Sequence, residues 1–102
     1  MDKVQILISF DLRPGAEPEY SEFVVKTGVP FWRSQAAVLS VRGYRNLSGS
    51  SPHIVSEVDC ESLETAMGIL ESAQYQAIVE QQARFVTGRS VLLLAPTGRT
   101  RE

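Results

Sequence analysis

At 102 residues the chain has room for one domain and one core, and is short enough that self-association is a common way to bury more surface. Hydrophobic residues make up 43%, charged residues 22% and the formal net charge is -2, which excludes the basic surplus of a nucleic-acid binder. A single cysteine and a single histidine exclude an internal disulfide and a self-contained zinc site, so no metal is expected.

Residues 1–10, MDKVQILISF, carry an acidic residue second and alternate at once, unlike a secretory leader. The longest apolar run, Val91 to Pro96, is far shorter than the roughly 20 residues that cross a bilayer. No membrane partner is expected, and a cytoplasmic location follows as the expectation. Over residues 3–12, Val4, Ile6, Ile8, Phe10 and Leu12 alternate with Lys3, Gln5, Leu7, Ser9 and Asp11, the pattern of a half-buried strand. Arg13-Pro14-Gly15-Ala16 is turn chemistry. A helix starts near Glu17, where Pro18 and the acidic Glu19 and Glu22 suit a first turn. Tyr20, Phe23, Val24, Thr27 and Phe31 recur at helical spacing, but Pro30 lacks an N–H, so a kink is expected at Gly28-Val29-Pro30 before the helix resumes through Phe31, Trp32 and Gln35.

Residues 39–46, LSVRGYRN, read as a polar and therefore edge-like second strand, with Val41, Gly43 and Arg45 on one side and Ser40, Arg42, Tyr44 and Asn46 on the other. The loop SGSSP leads to a third strand over His53 to Asp59, in which His53, Val55, Glu57 and Asp59 share a face. Asp59 or Ser62 is placed to cap a long helical run from Ser62 to Val86, and Gly88 to end it. Leu63, Ala66, Met67 and Leu70 form one apolar stripe, and Tyr75, Ile78, Val79, Gln82, Phe85 and Val86 a second. The stripes are out of phase, so the run is expected to kink or break near Ser72. Arg89 to Ala95 reads as a fourth strand, apolar on both faces and so covered on both. The domain spans residues 1–96, followed by a polar tail over 97–102.

The order strand, helix, strand occurs twice. That is the α+β, ferredoxin-like split βαββαβ arrangement, a four-stranded antiparallel sheet with both helical runs on one face. The other face, bearing Leu7, Val55 and one apolar set of the fourth strand, is left bare. Packing against a second copy would cover it, so a homodimer through the open sheet face is expected.

The segments VLSVRGYR, IVSEVDCESLETA and ESAQYQAIVEQQARFV resemble the dimeric α/β-barrel superfamily, which includes the antibiotic-biosynthesis monooxygenases and the stress-responsive α/β-barrel proteins. The resemblance covers about nine-tenths of the chain and is specific for architecture rather than activity. It implies a pocket in each subunit, lined by the face turned away from the helices and the adjoining helix ends. It also implies a reaction such as cofactor-independent monooxygenation or cyclisation of a small aromatic or polyketide-like compound, with a non-catalytic ligand-binding or interaction module as the alternative.

On that face, His53 and Glu57 are the candidate catalytic residues, since a histidine titrates near neutrality and can deprotonate a phenol. Arg42, Tyr44, Ser9 and Leu7 would hold the substrate beside them, and Trp32 and Phe31 would wall the pocket from the first helix. Each has a plainer reading: a hairpin-bonded His53, a Glu57 ion pair with Arg42 or Arg45, and aromatics that simply fill the core. Tyr20 and Tyr75 fall on apolar stripes and are assigned to the core. Cys60 has no partner for chemistry. The histidine and aromatic pattern of the haem-degrading members is not matched, and no phosphate loop or dinucleotide fingerprint is present, so no cofactor is expected.

Overall fold

The computed structural model describes residues 3–97, so nearly all of the expected tail lies outside the described residues. In chain order the elements are β1 (Val4–Leu12), α1 (Glu17–Phe23), a π-helical turn (Val24–Gly28), α2 (Val29–Arg33), β2 (Val38–Arg45), β3 (Ile54–Cys60), α3 (Leu63–Leu70), α4 (Ala73–Gln82) and β4 (Val86–Leu94). The strands form one antiparallel sheet in the order β2-β3-β1-β4, with the helices on one face, the ferredoxin-like arrangement.

The central strand shows the expected alternation. Val4, Ile6, Ile8 and Phe10 are buried and pack with Ile54, Val58 and Cys60 of β3 and with Ala66, Ile69 and Phe85 from the helical layer. Each valine, isoleucine or phenylalanine among them contributes roughly 1.5–3 kcal/mol by leaving water. Gln5, Leu7, Ser9 and Asp11 point to the opposite face, where the register sets Leu7 beside Glu57 and Leu92, and Ser9 beside Val55 and Ser90.

The first helical run does not stop at Pro30. Because that residue brings no N–H, the ladder shifts to a wider register just before it, and the Val29 N–H donates to Val24 O across the π turn. The second run divides at Glu71 and Ser72. Ser62 caps α3 in a capping box with Thr65, and the Ser72 side chain accepts the Tyr75 N–H to start α4. The first stripe is only partly buried. Ala66 and Ile69 face the core, whereas Leu63 and Met67 are exposed on the outer side.

Gly88 does not end the helix, and Phe85 and Val86 do not belong to it. α4 stops at Gln82, and β4 begins three residues before the expected Arg89. Within it Ser90 faces Ser9 but Thr87 faces Asp11, so Gly88 and Arg89 together oppose Phe10. Gly88 takes the positive φ of 65° that this bulge needs and that glycine adopts without strain. The extra residue reverses the alternation: Val86 is buried on the helical side, and past the bulge Arg89 and Val91 take that side while Ser90 and Leu92 take the other. Both faces of the strand's end are open, with Leu92, Leu93 and Leu94 all exposed in the single chain.

Candidate functional site

Two surfaces of the sheet compete for the role of site. The open face gathers most of the residues singled out from the sequence. Arg42 lies opposite Glu57, Tyr44 opposite Val55, and Leu7 and Ser9 stand on the neighbouring strand. Glu57 accepts a hydrogen bond from the Tyr44 hydroxyl at 3.3 Å rather than pairing with an arginine, and Arg45 is engaged elsewhere, with Glu17 at 2.6 Å. Asp59 is held by the Ser40 hydroxyl at 2.8 Å and the Gln5 amide at 3.1 Å, which lower its carboxyl below the usual range.

His53 lies at the hairpin exit, just ahead of β3. Its N–H donates to Phe10 O and to Asp11 Oδ1, both at 3.0 Å, and its Nδ1 accepts the Leu12 backbone N–H at 3.0 Å. That last bond occupies the lone pair a general base would use and assigns the ring proton to Nε2. The histidine is therefore the hairpin-bonded one, a pin for the end of β1.

The cavity is on the other side of the sheet. Between β1, β2 and the helices lies a space of about 580 Å³, within the size range of small-molecule sites. Phe10, Tyr20, Phe23, Trp32 and Tyr75 give it an aromatic wall, and the π turn supplies Val24 and Gly28. Of the residues expected at the site, only Trp32 lines it. Phe31 stands behind, its ring edge-on to Trp32 at 4.9 Å and tilted to Tyr75 at 6.2 Å. His53, Glu57, Arg42, Tyr44, Ser9 and Leu7 are not in its wall. The residues expected on the face turned away from the helices therefore do not meet at this cavity, which lies where the apolar helical layer does not close fully onto the inner face of β1 and β2.

The polar end of this cavity is built by Arg89, Tyr75 and Gln82. The bulge at Gly88 turns Arg89 inward, where its Nε donates to Gln82 Oε1 at 3.0 Å and an Nη donates to the Tyr75 hydroxyl oxygen. The guanidinium carbon also lies 5.4 Å from the Tyr75 ring centroid. Tyr75 and Gln82 are buried, so both anchors of the arginine are fixed by packing. Among the described residues no carboxylate lies within ion-pairing distance of Arg89. Burial pushes the Tyr20 phenol up, partly offset by the Arg45 guanidinium, so this part of the wall stays neutral near pH 7.

No protein-family model matches the chain, and no curated protein matches it in sequence. Solved structures do. SnoaB from Streptomyces nogalater, a cofactor-independent oxygenase, superposes with a TM-score of 0.80 at 15% identity over 100% of both chains. The chain has the ferredoxin-like fold. A DABB family protein with a ferredoxin-like fold from Mesorhizobium loti also gives a TM-score of 0.80, at 14% identity over 96% of this chain and 100% of its own. A dimeric protein of unknown function from Bacteroides fragilis gives 0.68 at 13% identity, over 91% and 95% respectively. At these identities the likeness of this chain to the three is one of fold.

The sequence places Tyr75 in the core and gives Tyr75, Gln82 and Arg89 no part in the site. A signal was present in two places: Gln82 is a polar residue on an apolar helical stripe, and Arg89 is the lone charge in VTGRSVLLL. Among the described residues no group of three histidine, cysteine or acidic side chains is placed to hold a metal ion, and no helix is long and apolar enough to cross a membrane. Cys60 is fully buried, and burial raises its thiol away from the reactive thiolate form.

Proposed function

We propose that the protein acts as a homodimer that takes a small aromatic or polyketide-like compound into the cavity between helices and sheet, and transforms it by cofactor-independent monooxygenation or cyclisation. The observation that carries this reading is Arg89, a guanidinium held on Tyr75 and Gln82 at the end of an aromatic-walled cavity, with no carboxylate partner among the described residues. The Tyr75 oxygen accepts from Arg89, which leaves its own hydrogen available to a ligand oxygen. Together the two groups stabilise the anion of a bound phenol or enol. Among the described residues no carboxylate or imidazole lines the wall, so the proton is released to solvent. In an oxygenation the anion then transfers electrons to O2. A ring methylene becomes a carbonyl with one oxygen atom, and its two hydrogens leave with the other as water. In a cyclisation the enolate carbon attacks a carbonyl of its own chain, whose π bond opens to an alkoxide that takes a proton back from solvent.

Support also comes from outside the chain, where a fold neighbour is a cofactor-independent oxygenase and another is dimeric. The test is oxygen uptake and product formation with a panel of polycyclic phenols and linear polyketide mimics. Arg89→Met should lower turnover by about 10²-fold, the cost of one oxyanion donor, while the protein stays folded. Turnover unchanged in that variant contradicts the assignment. Saturable binding with neither oxygen uptake nor ring closure would instead favour the ligand-binding module.

A further inference from the structure

Lys26 and Arg33 lie on the first helical run and Arg84 in the turn after α4. Two are neutralised by neighbouring carboxylates: Lys26 pairs with Glu22 at 2.7 Å, and Arg84 lies 3.7 Å from Glu19. Arg33 has no such partner among the described residues, and it is the one of the three that lines the cavity. It sits in the last turn of α2, one residue after Trp32, and shares the cavity wall with the β4 residue Arg89. Among the described residues the wall includes two arginines and no aspartate or glutamate. A site so built is positive at two places, one half-buried and anchored, the other exposed and free to reach.

Resting on the cavity reading above, we infer that the ligand is an acidic aromatic compound. Arg89 and Tyr75 meet its phenol or enol oxygen, and Arg33 receives a separate anionic group, a carboxylate or a phosphate, at the exposed end. The ring system lies along Trp32 and the other aromatics. A guanidinium suits this task because its planar fork matches either anion with two parallel hydrogen bonds. Arg33 is then a specificity-determining residue that acts on binding rather than on the reacting atoms.

The experiment is isothermal titration calorimetry on the full chain with three probes that share one ring system: 2-naphthoate, 2-naphthyl phosphate and the neutral 2-naphthamide. At least one anion should bind about five- to tenfold more tightly than the amide, the range of a charge-assisted hydrogen bond that stays partly in water. The tighter anion identifies the group. Arg33→Met should remove that preference and leave amide binding unchanged, which separates lost charge from lost fold. Equal binding of all three probes, or an anion preference that survives Arg33→Met, overturns the inference while leaving the cavity reading in place. Absence of binding by every probe overturns both.

Discussion

The hydrogen bonds of single side chains decide which groups are free to act. His53 is the plainest case, since its Nδ1 accepts the Leu12 N–H and so cannot also accept a substrate proton. Its position at the head of β3 was legible in the sequence, but its occupation depends on ring rotation against the backbone of another strand. Asp59 shows a different consequence. The Ser40 and Gln5 bonds hold its carboxyl below the usual value, so it contributes stability that is present above the unfolded-state pKa of about 3.9 and is lost as pH falls through the lower folded value. Asp59→Asn should therefore flatten the loss of stability below about pH 4, measured by urea unfolding at stepped pH. Parallel pH profiles for the variant and the parent would contradict that role.

Among the elements, β4 does most to shape the site. Simple alternation counted from the buried Val86 would put Gly88 and Ser90 inward and Arg89 outward, and only the extra residue opposite Phe10 reverses this. A two-residue period cannot reveal such an insertion, which is why the strand was legible while its inward arginine was not. The turn chemistry of the helices was more readable, because Ser62 and Pro30 act on their own neighbours. The bulge is open to a direct test. Alanine at position 88 meets nothing closer than Asp11 Oδ2 at 3.8 Å, so its cost is that of the left-handed backbone, about 1–2 kcal/mol. For a domain of this size Gly88→Ala should lower Tm by at least about 4 °C. An unchanged Tm would mean that the strand holds its register without the glycine.

For the whole molecule, we propose separate roles for the two faces of the sheet. The strand and helix order was enough to read the ferredoxin-like layering, since local periodicity and the crossover rule leave few alternatives. The cavity's place was not, because it depends on how far the π turn and α2 stand from β1 and β2. On the open face, Leu92 and Leu94 are 50% and 38% exposed beside Leu7 and Val55, an apolar strip suited to a second copy. Leu92→Glu should convert the proposed dimer to a monomer in sedimentation velocity, and a monomer before substitution would remove that face from the account. The central claim, that ligands enter between helices and sheet, is tested most directly by NMR during titration with 2-naphthoate. Trp32 is the chain's one tryptophan, so its indole N–H gives a single assignable resonance beside that of Arg89 Nε. Both should shift saturably with one dissociation constant, while the amides of Arg42, Tyr44 and Glu57 stay in place. Shifts confined to those three residues, with the indole unmoved, would contradict the account.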